Sequence, residues 1–172
     1  MKASFQGNEK EKTAICYALM LAGTNHPEEV CRRLKFDNET VAMVKMLHEN
    51  RETVYTGDKV QTRRLLNRLG EDNLRLLFAY QKARLHQNLH PVEIAKIDRE
   101  EELVREVLTA GECCDLKLLA VKGADLIAAG IAPGKELGDC LNRLLDIVIE
   151  DPTKNEKEYL ISCLGAESKG VT

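Results

Sequence analysis

The chain has 172 residues, of which 44% are hydrophobic, 31% charged and 4% aromatic, and it contains no tryptophan. This length suits one compact body or one body with a small appendage. The scarcity of aromatic residues argues against a β-sandwich or barrel, so we predict an all-α fold. A formal net charge of -3 argues against a strongly basic nucleic-acid-binding protein but is compatible with a local basic strip.

The sequence has no pattern typical of a membrane span or a signal peptide. Residues 14–22 form an apolar run much shorter than the ~18 residues that a membrane span needs, and residues 1–12 are polar and charged. We therefore expect a cytoplasmic protein with no membrane partner. We also expect buried, reduced thiols, the alternatives being a metal or redox role and a strained disulfide between the adjacent Cys113 and Cys114. No C-x-x-C pair occurs among Cys16, Cys31, Cys113, Cys114, Cys140 and Cys163.

The first part of the chain has the pattern of successive helices with short connections. Asn25 followed by Glu28, and Asp58 followed by Gln61, have the capping-box spacing and predict helix starts. Asp37 is the predicted cap of the helix between them. The predicted apolar faces of these helices and the next contain Val41, Val44, Leu47 or His48, Leu65, Leu66, Leu69, Leu74, Leu77, Phe78 and Leu85.

Glycine and proline predict the next helix boundaries. Gly70 has the position of a residue that follows a helix end. Pro91 is predicted to begin a long charged helix that ends near Gly111. The predicted buried face of this helix contains Ile94, Ile97, Val104 and Val107 or Leu108. We assign residues 1–110 to one helical body.

The composition of the sequence changes in residues 111–172, where glycine is more frequent and the predicted helices are shorter. We predict a second, smaller helical module here. Its main helix is expected from about residue 135 to 150, and a last helix from 154 to 164. Thr153 followed by Glu156 has the capping-box spacing for the last helix.

No combination of residues has the spacing of a familiar catalytic site. A helical metal phosphohydrolase needs a neighbouring His-Asp pair, and the nearest match is His48-Glu49. No Asp-x-Asp pair for two-metal chemistry and no phosphate-binding P-loop occurs. We predict no catalytic, metal-binding or cofactor-binding residue in this chain. A divergent phosphohydrolase built on His48 is the alternative, and it would require a bound metal ion.

Residues 121–145 have the pattern of a helix-hairpin-helix-like turn. Gly123 can adopt a positive φ between helices, Asp125 can cap the following turn, and Gly130 can end the helix in the left-handed region. The helix that follows residues 131–135 begins with free amides, which suit a phosphate-sized anion. The alternative, that these glycines serve only helix packing, is equally compatible with the spacing.

The glycine-rich segment and the last helix carry motifs similar to those of a known family. The motifs are GADL at residues 123–126, GIAPG at 130–134, Gly138, LL at 144–145 and NEKEYLI at 155–161. They closely resemble the C-terminal segment of bacterial CCA-adding enzymes, the tRNA nucleotidyltransferases of the poly(A) polymerase superfamily. Weaker similarities, RLKFDNETV at 33–41 and RRLLNRLG at 63–70, extend the resemblance to roughly residues 29–164.

The resemblance implies that the body, the tail, and the head and neck have different roles in the enzyme. Residues 1–110 would form an HD-like body without its metal motif, and residues 111–172 a tRNA-binding tail. A catalytic head and neck, which we expect outside this chain, would add the CCA end from CTP and ATP with Mg²⁺. Whether the parent adds CCA, CC or A alone stays open, because that choice resides in the head and neck.

Residues 71–75, Glu71-Asp72-x-x-Arg75, match the sequence pattern of the family's neck motif, which pairs with the incoming base. It follows residues 63–70, however, and therefore stands in the body rather than in the neck. We interpret it as a solvent-facing helix start.

The implied partner is tRNA, which such a protein would bind through shape, phosphates and 2′-hydroxyls. The candidate RNA contacts are Arg63, Arg64, Arg68, Lys122, Gly134, Lys135 and Gly138. The alternative for the arginines is an ordinary solvated helix face. The alternative for the whole chain is a protein-interaction module without RNA affinity, which would form a homodimer through apolar faces that a missing head leaves bare.

Overall fold

The computed structural model describes residues 7–87 and 90–167, and the regular elements in these ranges are helical. They are α1 (Glu9–Met20), α2 (Pro27–Arg33), α3 (Asn38–Glu49), α4 (Lys59–Leu69), α5 (Glu71–Gln87), α6 (Pro91–Thr109), α7 (Gly123–Ala128), α8 (Lys135–Glu150) and α9 (Lys157–Glu167), with a 3-10 turn at Pro152–Lys154. The predicted all-α fold is confirmed. Among the described helices, none combines the length and the apolar character needed to cross a membrane.

The chain divides into two compact units, each built from two stretches of sequence. The first unit comprises Met1–Gly57 and Leu69–Leu103, and the second comprises Asp58–Arg68 and Val104–Thr172. Helix α4 thus lies almost wholly in the second unit, although it precedes α5 of the first unit. The sequence-based boundary after residue 110 stays a prediction.

In the first unit, helices α1, α3 and α5 pack on one another, and α2 packs on α3. The predicted apolar face of α3 is confirmed, because its predicted residues are buried together with those of α1 and α5. The buried side chains of this core include Ala14, Ala18, Cys31, Val41, Val44, Leu47, Leu74, Leu77 and Phe78. Burial of these aliphatic and aromatic groups is the main stabilising contribution to the unit.

Two predicted aspartate caps are present. Asp37 accepts hydrogen bonds from the backbone N–H of Thr40 at 3.2 Å and from its hydroxyl at 2.7 Å. Asp58 accepts from the N–H groups of Val60 at 2.8 Å and Gln61 at 3.2 Å. Both carboxylates satisfy amides that have no partner within their own helix.

Two other cap predictions are wrong. Helix α2 begins at Pro27 with His26 as its N-cap, so Asn25 lies one residue too early. Proline favours the first helical position because it has no N–H to satisfy there. Thr153 does not cap α9, since it lies in the 3-10 turn, where its N–H donates to Asp151. Helix α9 therefore begins three residues later than predicted.

The cysteines are free thiols, as predicted, but they are not all buried. Cys16 is exposed because α1 buries Ala14, Ile15 and Ala18, and residue 16 falls on the opposite face of that helix. Cys163 is half-buried. The remaining thiols are buried at Cys31, Cys113, Cys114 and Cys140.

The second unit has its own core around α8. Helix α8 coincides with the predicted helix over residues 135–150 and presents a single apolar face. This face packs with side chains of α7, α9 and the loop between α6 and α7. The buried core comprises Cys113, Leu119, Val121, Leu126, Cys140, Leu144, Leu145, Val148, Ile149 and Leu160.

Candidate functional site

The helical hairpin of the second unit begins with α7, which ends at a glycine as predicted. Gly130 follows the helix with φ of +97°. Its N–H donates to the carbonyl of Ile127 at 3.0 Å, and the N–H of Ile131 donates to that of Leu126 at 3.0 Å. This pair of bonds is the Schellman motif, which uses a left-handed glycine to satisfy the last carbonyls of a helix.

Gly123 does not take the positive φ that we expected. It is the first residue of α7, and a Cβ added there would lie 3.4 Å from Cδ2 of Leu137. Residue 123 therefore lies within van der Waals distance of α8. Asp125 accepts from the N–H of Lys122 at 2.8 Å and from the Lys157 ammonium at 2.6 Å. These two hydrogen bonds, that of Lys157 first, lower the pKa of the Asp125 carboxyl.

The turn into α8 depends on Gly134. This residue is the N-cap of α8 and has φ of 125° and ψ of -146°, a conformation almost confined to glycine. Its carbonyl accepts from the N–H of Gly138 at 3.3 Å, which closes the first turn of the helix. The amides of that first turn have no acceptor within the helix.

Gly138 lies one turn into α8 and is not required by packing within the described residues. A Cβ added at Gly138 would meet no atom within 4 Å. Packing therefore does not explain the glycine at residue 138. The surface above Gly138 is open to the close approach of another molecule.

The two candidate lysines of the hairpin differ in the hydrogen bonds and the exposure of their side chains. The Lys122 ammonium donates to the carbonyl of Lys117 at 2.6 Å and to that of Leu116 at 3.4 Å, so it closes the preceding turn. Lys135 is exposed on the first turn of α8. Lys122, Gly134, Lys135 and Gly138 thus belong to one helical hairpin.

Arg63 is buried, with only 4% of its surface exposed. Its Nε donates to the carbonyl of Ile149 at 2.6 Å, and Nη2 donates to that of Glu150 at 3.2 Å. Nη1 donates to the Glu112 carboxylate at 2.6 Å. The guanidinium therefore satisfies the last carbonyls of α8. Its role in RNA binding stays a prediction, and in this structure its donors serve the interior of the unit.

Arg64 and Arg68 are exposed on α4. Arg64 donates to the Glu150 carboxylate at 2.5 Å, and Glu150 is the last residue of α8. Lys135 is the first residue of the same helix, so the two ends are separated by about 22 Å along its axis. Arg64 and the hairpin glycines therefore lie near opposite ends of α8.

The His48-Glu49 pair lies in the first unit, at the end of α3. His48 is half-buried, and burial, with the nearby Arg51 as a second cause, lowers the pKa of its imidazole. The Arg51 guanidinium donates to the His48 carbonyl at 2.6 Å. Within residues 7–87 and 90–167, no group of three or more histidine, cysteine, aspartate or glutamate side chains is placed to hold a metal ion.

The Glu71-Asp72-x-x-Arg75 motif begins α5, as predicted. Glu71 and Asp72 are exposed in the first turn of the helix. Arg75 forms an ion pair with Glu11 of α1. The motif thus forms an exposed helix start with one ion pair to a neighbouring helix.

The loop between α6 and α7 is held by asparagines whose role was not predictable from spacing. Asn155 accepts from the N–H of Ala120 at 2.8 Å and donates to the carbonyl of Leu118 at 3.0 Å. Asn67 donates to the carbonyl of Cys114 at 2.9 Å. Burial raises the pKa of the Cys114 thiol to about 11. No local signal reveals these bonds, because each joins residues far apart in sequence.

Comparison with known proteins gives a family match. The family described as tRNA nucleotidyltransferase domain 2 matches residues 4–164. No curated protein matches the chain, and no solved structure does. The matched range includes α4 and the whole hairpin, and it therefore contains every candidate RNA contact.

Proposed function

The chain belongs to the tRNA nucleotidyltransferase domain 2 family, and from this premise we propose that it is the tRNA-binding body and tail of a cytoplasmic CCA-adding enzyme. It holds the tRNA through an HD-like helical body and a tail and positions the acceptor end. A head domain adds the 3′-CCA from CTP and ATP, with Mg²⁺. The observation that carries the proposal is the family match over residues 4–164.

The hairpin of the second unit supports a phosphate contact. A protein that serves many tRNAs must bind them independently of the anticodon, through A-form shape, phosphates and 2′-hydroxyls. The N-terminal amides and the dipole of α8 favour an anion beside Gly134, and Lys135 adds a positive charge there. The open surface above Gly138 lets an RNA backbone approach the helix closely.

Arg64 and Arg68 are the second proposed group of contacts. Arginine binds phosphate through two parallel N–H donors, and both side chains are exposed on α4. A phosphate at Arg64 would compete with the Glu150 carboxylate, which now accepts its hydrogen bond at 2.5 Å. Contacts at both ends of α8 would engage phosphates along a stretch of RNA rather than at one point.

The test is a titration of the chain with folded tRNA and with an unstructured single strand of equal length. We expect weak binding at low salt, a preference for tRNA, and a steep loss of affinity as salt rises, through counterion release. Lys135→Gln and Arg68→Gln should each reduce the slope of log K against log salt by about 0.8.

The control is Lys12→Gln, which changes the net charge equally but lies on α1 of the first unit, where Lys12 pairs with Glu9. We expect this variant to bind tRNA as the unaltered chain does. Equal affinity for tRNA and the single strand would overturn the proposal. Sedimentation with and without tRNA tests the alternative, since a concentration-dependent dimer without RNA affinity would indicate a protein-interaction module.

A further inference from the structure

Tyr159 is an exposed aromatic ring beside a positive charge in the second unit. It lies near the start of α9 with 39% of its surface exposed. The ammonium of Lys154 lies over the ring, 6.0 Å from its centroid. Tyr55 and Tyr80 of the first unit, by contrast, are buried. Tyr159 therefore presents a π face and a cation to solvent at the same place.

The backbone that carries this pair is held in place. Asn155 follows Lys154 directly, and its side chain is bonded to the N–H of Ala120 and the carbonyl of Leu118. Leu160, which follows Tyr159, is fully buried in the core of the unit. A ligand would therefore find this surface already ordered, which reduces the entropic cost of binding.

An exposed apolar side chain and a second cation belong to the segments that carry this pair. Leu118 is 53% exposed, and its carbonyl accepts from the side chain of Asn155, the residue after Lys154. Lys157 is half-exposed and pairs with Asp125. Stacking surfaces combined with nearby cations are typical of sites that bind unpaired RNA bases, because each base has a flat apolar face and a neighbouring phosphate.

We propose that Lys154 and Tyr159 form an RNA contact in which an unpaired base stacks on the Tyr159 ring and Lys154 binds the adjacent phosphate. The Lys154 ammonium lies 3.7 Å from the Asp151 carboxylate, and both side chains are partly exposed. On RNA binding, the phosphate would replace this carboxylate as the anionic partner of Lys154. The site rests on the proposed tRNA-binding function. It differs from the hairpin contacts because it binds a base face as well as a phosphate.

The experiment compares tRNA binding by Tyr159→Leu, Tyr159→Phe and Lys154→Gln with that of the unaltered chain. Loss of a stacked base should weaken binding by Tyr159→Leu roughly 5- to 150-fold without changing the salt slope. Tyr159→Phe keeps the stacking face and should bind within about twofold. Lys154→Gln should reduce the slope by about 0.8.

Circular dichroism of each variant verifies the fold, and Tyr159→Phe is the matched control because it retains the ring. If the unaltered chain shows no preference for tRNA over the unstructured single strand, the proposed function and this site are both overturned. If the unaltered chain prefers tRNA but Tyr159→Leu binds it within twofold, only the stacking site is overturned. A Tyr159→Leu variant that loses self-association in sedimentation but keeps its tRNA affinity would instead identify a protein contact, which also overturns the site.

Discussion

The two compact units depend to different extents on side chains that bond to backbone groups far away in sequence. In the first unit, helices are linked by ion pairs such as the exposed pair of Lys10 with Glu39 at 2.6 Å and the pair of the partly buried Lys82 with Asp98 at 2.6 Å. In the second unit, side chains of Arg63, Asn67 and Asn155 bond to backbone groups far away in sequence. The first unit also contains such a residue, the buried Gln81, whose side-chain amide donates to the carbonyls of Arg51 and Thr53. The first pattern supplements packed helices, and the second holds an irregular loop in place.

The difference follows from how each unit satisfies its backbone. Helices satisfy most of their own N–H and C=O groups, so the first unit relies chiefly on apolar burial, and exposed ion pairs add only about 0–1 kcal/mol each. The loop at residues 110–122 lacks the regular backbone hydrogen bonds of a helix. Its buried N–H and C=O groups therefore need side-chain partners. Single substitutions of side chains that hold such a loop should therefore cost more stability than substitutions at exposed ion pairs.

The largest effect is expected for Arg63→Met. This change leaves the carbonyls of Ile149 and Glu150 without this donor and removes the ion pair to the partly buried Glu112 carboxylate, which also pairs with Lys59 at 3.5 Å. Removing one partner of a buried ion pair costs about 3–5 kcal/mol in the free energy of unfolding. Urea unfolding measures the loss, and amide exchange along α8 assigns it to the second unit.

Arg64→Met is the matched control on the same helix. Arg64 is exposed and paired with Glu150, so we expect a loss below about 1 kcal/mol. Equal losses for the two variants would contradict the contrast between an internal and a surface arginine.

Asn155→Ala is expected to have the next largest effect. It removes both bonds to the loop and should lower the free energy of unfolding by about 1–3 kcal/mol. Asn155→Asp keeps the acceptor for Ala120 and should lose less. In the first unit, Asn73→Ala removes an exposed bond to the Leu69 carbonyl and should cost no more than about 0.5 kcal/mol. Similar losses at Asn73 and Asn155 would argue against the special dependence of the second unit.

The two glycines at the start of α8 should respond in opposite directions to alanine. Gly134→Ala should lower the free energy of unfolding by about 1–3 kcal/mol, because the conformation of Gly134 disfavours a Cβ. Gly138→Ala should raise it by about 0.5–1 kcal/mol, because the site is open and helical. Thermal unfolding checks both signs. If Gly138 serves the RNA contact, the more stable variant binds tRNA more weakly, and unchanged affinity would remove Gly138 from that contact.

The smallest effect is a pH dependence in the first unit. The Thr40 hydroxyl bond, with smaller contributions from the Thr40 amide and Lys10, lowers the pKa of Asp37 from 3.8 to about 2. Because this pKa is lower in the folded state, the stabilisation is complete above pH 3.8 and is lost as pH falls toward about 2. Asp37→Asn keeps a helix cap but cannot titrate, so its stability should fall less in this window. Parallel curves from acid titrations of the two proteins would contradict the assignment.

Local signals predicted much of the helical structure. Pro91 and the apolar spacing after it predicted α6, and the run from Lys135 to Glu150 predicted α8, because caps and helical periodicity act within a few residues. The errors occurred where two local signals competed, as at Asn25 beside Pro27. The expected positive φ at Gly123 was wrong because this residue begins α7 and has a helical backbone.

The sequence by itself determined the all-α fold, most helix boundaries and the resemblance to CCA-adding enzymes, because these depend on residue types at short spacing. Tertiary structure alone decided which cations face solvent. Arg63 and Arg64 are neighbours of the same type, yet Arg63 is buried and Arg64 is exposed. The difference arises because the folded chain brings Glu112 and the last carbonyls of α8 to Arg63, and only such buried acceptors make the burial of a guanidinium favourable.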